Sequence, residues 1–177
     1  MRGRTAIAAA LLAAIVAIEV GCSSYHFVRA SQSLGPVRRV AVTTLANDSY
    51  QPGVELMVTE ALRREIQRRG ATLVQDPAQA DLVIEGTVRE LGLSSRSFSS
   101  IAFTLEYQID LKLDLTARRA DGSKVDIDRS ALEESELYLT SSDIEAEFKN
   151  RDEALRRLSA QLAARVHDSL ANRLAVQ

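Results

Sequence analysis

Cysteine occurs once in this 177-residue chain, as Cys22, histidine twice, as His26 and His167, and tryptophan not at all. A single thiol excludes a disulfide framework within the chain, and one cysteine with two histidines does not make a metal-binding Cys/His spacing. The eight glycines form neither a phosphate-cradling loop nor a Gly-x-Ser-x-Gly elbow. Neither sign of charge dominates, with 22 basic against 24 acidic residues. That balance argues against nucleic-acid binding driven by phosphate contacts. Long apolar runs are also scarce: Ala6–Ile18 is the one extended run, and its thirteen residues fall short of the ~20 a membrane-spanning helix needs. No nucleophile, base and oxyanion set converges in the sequence, so the chain reads as a binding or assembly protein with no catalytic residues, no metal and no cofactor.

Arg2 and Arg4 precede the apolar run, and Glu19-Val20-Gly21-Cys22 closes it. A basic start followed by a short apolar core is the pattern of a secretion signal. A cysteine after a small residue at its end resembles the lipobox of bacterial lipoproteins. That resemblance implies cleavage before Cys22, a diacylglycerol on its thiol and an acyl chain such as palmitate on the new amino terminus. The alternative is a buried core cysteine behind an ordinary leader. Glu19 departs from the Leu, Val or Ile usual at its position, where a carboxylate is costly in a membrane-embedded processing site. Loss of residues 1–21 removes Arg2, Arg4 and Glu19, leaving 20 basic and 23 acidic residues, a net −3. About 156 residues remain, enough for one domain with its own core. The chain divides into a signal peptide over 1–21, a lipidated tether over 22–36 and a single domain over 37–177.

Within that domain the β-branched Val37–Thr44 reads as a strand buried on both faces. Asn47-Asp48-Ser49-Tyr50-Gln51-Pro52-Gly53 is dense in turn formers. Val54, Met57, Val58, Ala61, Leu62 and Ile66 then recur at helical spacing, with Gly70 as a left-handed stop. Thr72–Val74 and Asp81–Leu93 read as strands, and Ser94–Ser100 as a serine-rich loop tip carrying Arg96. From Phe103 to Arg118 apolar and polar residues alternate strictly, which defines one apolar and one solvated sheet face. Asp121-Gly122 signals a hairpin, and Val125–Leu139 returns as a fourth long strand with a bulge near Ser130–Glu134. A helix from Asp143 or Arg151 to Leu174 carries the stripe Leu155, Leu158, Leu162, Val166, Leu170 and Leu174. The expected fold is an α/β (α+β) two-layer sandwich, two amphipathic helices packed on one face of a four-stranded, mainly antiparallel sheet. His167 reads as a solvated helix histidine, with a general base as the alternative. Asp76, Asp81 and Glu85 read as turn and surface carboxylates more than as an acid–base cluster. Arg63, Arg64, Arg68 and Arg69 read as a solvated face complementing the helix dipole, with an anion site as the alternative.

Cys22 followed by Tyr25-His26-Phe27, then Val40-Ala41-Val42 and Leu45-Ala46-Asn47-Asp48-Ser49-Tyr50-Gln51-Pro52-Gly53, resembles the LptE family of lipopolysaccharide-assembly outer-membrane lipoproteins. The likeness continues through Thr59–Glu65, Asp76-Pro77, Ala80-Asp81, Ile84-Glu85-Gly86, Glu106-Tyr107 and Glu153–Leu158, covering nearly all of the mature chain. It implies two helices against a four-stranded sheet and a location at the outer membrane through the lipid anchor, facing the periplasm or a barrel lumen. The implied partners are an LptD-like outer-membrane β-barrel, which the chain plugs and helps to assemble, and lipopolysaccharide. Ser23 after the cysteine is not the aspartate that retains many enterobacterial lipoproteins in the inner membrane. Basic residues near the family's sheet and loops have been implicated in lipopolysaccharide binding; Arg96, with Arg89 and Lys124, is the candidate set here. The Val-Ala-Val…Asn-x-Ser opening also resembles periplasmic lipoproteins of the CsgG-like secretion and peptidoglycan-synthase-activator type, which is the alternative reading.

Overall fold

A computed structural model describes residues 33–98 and 104–175. Its elements run β1 (Arg39–Val42), β2 (Ala46–Asn47), α1 (Val54–Arg68), β3 (Thr72–Leu73), β4 (Leu82–Phe98), β5 (Thr104–Arg119), β6 (Lys124–Val125), β7 (Glu133–Leu139) and α2 (Ile144–Ala175). The protein is a mixed α+β fold with two helices and a seven-stranded sheet, where four strands were expected. The sheet path is β3-β1-β4-β5-β6, with β2 on β4 and β7 on β5. β1, β2 and β3 pair in parallel; β4–β5, β5–β6 and β5–β7 are antiparallel.

The extra strands have local causes. Val125–Leu139 does not form one strand, because Asp126, Ile127 and Asp128 leave the sheet and a 3₁₀ turn, Arg129–Ala131, separates β6 from β7. The backbone N–H of Asp128 donates to Ser169 Oγ of α2 at 2.8 Å, and Arg173 binds the Asp128 carboxylate at 2.6 Å, which holds the break against the helix. Conversely, Ser94–Phe98 is strand, not loop: pairing with β5 extends β4 through it. The Asp121-Gly122 hairpin forms as expected, with Gly122 at φ 84 and Asp121 Oδ1 accepting from the Ser123 amide.

Helix α1 ends in a Schellman motif, Gly70 N donating to Gln67 O and Ala71 N to Ile66 O, with Gly70 at φ 94. Helix α2 starts at the earlier of its two expected positions because Asp143 Oδ1 caps the amides of Glu145 and Ala146. Both helices lie on the apolar face of β4 and β5, around Ile84, Val88, Leu91, Ile109, Leu111 and Ala117, each at 2% exposure or less. Each such valine, leucine or isoleucine contributes roughly 1.5–3 kcal/mol by burial. Gly86 allows the two long strands to approach: a Cβ there would stand 2.0 Å from the Asp114 carbonyl oxygen.

Candidate functional site

The alternation in β5 leaves Glu106, Gln108, Asp110, Lys112, Asp114, Thr116 and Arg118 on the face away from the helices, matched in register by β4. Ion pairs cross this face. Glu85 meets Arg118 at 3.3 Å, Glu90 meets Lys112 at 2.9 Å, and Arg89 lies between Asp48 at 2.9 Å and Asp114 at 3.6 Å. The Lys112 ammonium is held above its usual range by the hydrogen bond and charge of Glu90. All of these side chains are exposed, so the pairs order the surface more than they stabilise the fold.

The three candidate basic residues do not converge. Lys124 pairs with Arg118 at one end of β5, Arg89 sits where the register shifts between Val88 and Glu90, and Arg96 where it shifts between Ser95 and Ser97. At ~3.3 Å per residue they stand roughly 20 Å apart in succession along the sheet. Arg89 and Arg96 thus occupy β-bulges, which re-aim side chains out of the ladder. Arg89 is neutralised by its two carboxylates, whereas Arg96 and Lys124 are exposed and make no ion pair among the described residues. Cys22 and His26 lie outside the described residues.

Other chemistry-bearing groups are structural. Asp76 caps the 3₁₀ turn at Pro77–Gln79 through the Ala78 amide. Asp81 accepts from the Arg39 guanidinium and from the amides of Arg39 and Arg38, which together bring its carboxyl down to about 2. The basic run on α1 is not a simple solvated face. Arg63 binds the Val42 carbonyl at 2.8 Å, while Arg68 and Arg69 both grip Glu65, itself only 8% exposed. Burial pushes the Glu65 carboxyl up, but the bonds and charges of the two arginines outweigh this and hold it below its ordinary value. Arg69 continues to Asp168 on α2 at 3.2 Å.

His167 corrects the sequence reading: it is 1% exposed, not solvated, and neither ring nitrogen has a hydrogen-bond partner. Sequence reasoning placed Asn47 in a turn but did not assign its role. Its Nδ2 donates to Gln51 O and Glu55 Oε2, and its Oδ1 accepts from the Ser49 amide and hydroxyl, fixing the loop that enters α1. An Asn at the head of a turn-forming run was the available signal. Among the described residues no cluster of ligating side chains could hold a metal ion, and no helix is long and apolar enough to cross a membrane.

Two helices on one sheet face, with ion pairs across the other face, define a small two-layer α+β fold. More specifically, the family model LptE, lipopolysaccharide-assembly, matches residues 37–170, and the chain belongs to that lipoprotein family. Solved structures of similar fold include rare lipoprotein B of Shewanella oneidensis, with TM-score 0.51 and 16% identity over 76% of this chain and 95% of that one. Uncharacterized lipoprotein B of Nitrosomonas europaea gives TM-score 0.56 and 12% identity over 77% and 84%. A hypothetical protein of Chlamydia trachomatis gives TM-score 0.55 and 8% identity over 79% and 99%. No curated protein matches the sequence. The family match favours the assembly-lipoprotein resemblance over the secretion and synthase-activator alternative.

Proposed function

We propose that this protein is an outer-membrane lipoprotein, anchored through acyl chains on Cys22, that seats in an LptD-like β-barrel and assists its assembly for lipopolysaccharide export. The observation that carries this reading is the charged outer face of β4 and β5, together with membership of the family. Large outer-membrane barrels have polar, wetted interiors, and an occupant must present polar surface to that wall while keeping its apolar core to itself. The β5 alternation does so from Glu106 to Arg118. Arg96 and Lys124, free of ion pairs among the described residues, are the cations offered to lipid A phosphates; guanidinium suits phosphate through its paired N–H groups. Arg89 joins them only by giving up Asp48.

The test is purification of the native chain from outer membranes, with intact-mass measurement and identification of the partner. The expected result is a chain starting at residue 22 with acyl mass, in one-to-one complex with a large barrel, and Cys22→Ser recovered uncleaved or soluble. Recovery of native protein without acyl mass overturns the anchor. Depletion that leaves barrel level and outer-membrane permeability unchanged overturns the assembly role. Arg96→Glu weakens lipopolysaccharide binding at low salt with the melting temperature unchanged; equal binding removes Arg96 from the contact.

A further inference from the structure

The first turns of α2 and the loop that enters α1 enclose a cleft of about 600 Å³, within the range of small-molecule sites. Phe148, Arg151, Asp152 and Leu155 line it from one face of the helix, at steps of three and four. Gln51 closes the opposite side, and the loop fixes that residue: its amide donates to Ser49 Oγ, and its carbonyl accepts from Asn47 Nδ2. Arg151 Nη2 donates to Gln51 Oε1 at 2.7 Å, which ties helix to loop across the cleft. Charge in the cleft is unbalanced. Arg156 on its flank is compensated by Asp152 at 2.5 Å and Glu153 at 3.6 Å. Lys149, also on the flank, and Arg151 form no ion pair among the described residues. Glu147, one turn before Arg151, is occupied by the Ser141 amide and the Tyr138 hydroxyl. Arg151 Nε is moreover buried without a hydrogen-bond partner, a costly state for a charged group. Beside these cations stand Phe148, 65% exposed, and Ile144 one turn earlier, 73% exposed.

We propose that this cleft binds a small monocarboxylic acid with an apolar body, its carboxylate between the Lys149 ammonium and the Arg151 guanidinium and its body along Phe148. The headgroup follows from the donors that remain. Arg151 has one terminal nitrogen on Gln51 and its Nε enclosed, so it presents less than the full fork by which guanidinium grips phosphate. A carboxylate needs two donors, and one Arg151 nitrogen with the Lys149 ammonium supplies them. Asp152 and Glu153 beside the site favour the smaller negative charge, since a second ligand charge would face both carboxylates. A neutral ligand leaves the two cations uncompensated. The apolar body follows from Phe148, whose exposed ring stands at the same cleft.

Titration of the full mature chain in nonionic detergent tests the proposal, read by NMR at the Arg151 Nε–H resonance, which is identified by its loss in Arg151→Lys. The probes are hydrocinnamate, acetate, hydrocinnamyl alcohol and hydrocinnamyl phosphate. Hydrocinnamate is expected to shift the resonance saturably with a Kd of about 1 mM or below. Acetate should bind about tenfold more weakly, the alcohol should leave the resonance in place, and the phosphate should bind no tighter than the acid. Lys149→Gln is expected to raise the Kd for hydrocinnamate about tenfold by removing one charged partner. Phe148→Ala should narrow the gap between hydrocinnamate and acetate. Both side chains are exposed, so the melting temperature stays at the parent's value in either variant. No saturable shift by about 10 mM, an equal response to the alcohol, or either variant binding hydrocinnamate as the parent does overturns the site. Tighter binding of the phosphate overturns the carboxylate assignment. None of these measurements involves a barrel or lipopolysaccharide, so their failure is distinct from failure of the assembly role.

Discussion

At the scale of single residues, the side chain most at odds with its surroundings is His167. It is enclosed beneath α1 with both nitrogens unpartnered; Asp168 Oδ1 lies 3.6 Å from Nδ1, too long for a hydrogen bond, and Arg69 and Glu65 face it from α1. Burial first, then the charge of Arg69, holds its pKa below the ordinary 6.5, against an opposing pull from Asp168 and Glu65. The folded chain therefore binds fewer protons here than the unfolded chain, and stability rises with pH across the interval between the folded value and 6.5. The contribution is complete above 6.5 and is lost as pH falls below it, with a slope of up to about 1.4 kcal/mol per pH unit. Urea midpoints at pH 7.5 and 5.5 measure this, and His167→Gln is expected to flatten the difference. An undiminished difference in that variant assigns the acid sensitivity to another group.

At the scale of elements, a polar contact joins the two helices beside the apolar residues they share. Arg69, with its side chain 10% exposed, bridges Glu65 on its own helix to Asp168 on α2. Breaking a buried pair by removing one partner costs more than the pair contributes, because it strands the remaining charge. Arg68 still compensates Glu65 in part, so Arg69→Met is expected to cost about 1–3 kcal/mol. Glu65→Gln with Arg69→Met should cost less than the sum of the single changes, measured by denaturant unfolding; strict additivity shows that the two side chains do not couple. This contact also marks where sequence reading stops. Helix α1, its Gly70 stop, the β5 alternation and the Asp121-Gly122 turn were legible because each is fixed by spacing or by one backbone requirement. The pairing partner of each arginine was not, since it depends on which helix faces which. Ser94–Phe98 read as loop because serine has little strand preference, and β5 recruits it regardless. The interruption between β6 and β7 depends on Ser169 and Arg173, some forty residues away. The candidate cations were legible as residues but not as bulge positions, because a bulge is a relation between two strands.

At the scale of the whole molecule, the question is why the outer face of the long strands is so thoroughly charged. A sheet face in water needs polarity, but not paired polarity. Here Glu85–Arg118, Glu90–Lys112 and Asp48–Arg89–Asp114 leave Arg118, Lys112 and Arg89 each matched by a carboxylate, with Glu106 and Asp110 adding negative charge. Such a surface can approach a polar barrel wall with these cations already compensated. The consequence can be separated from folding. Lys112→Val with Asp114→Val places two β-branched residues in exposed strand positions, where each is expected to change stability by no more than about 0.5 kcal/mol. Strand propensity itself favours the change, so urea midpoints of the isolated chain should stay close to the parent. In cells the same variant should recover less barrel on purification, because an apolar patch then faces a wet lumen and the Glu90 and Arg89 charges lose partners. Barrel recovery equal to the parent's would reduce the charged face to an ordinary solvent face and remove the main physical support for the barrel-seated reading.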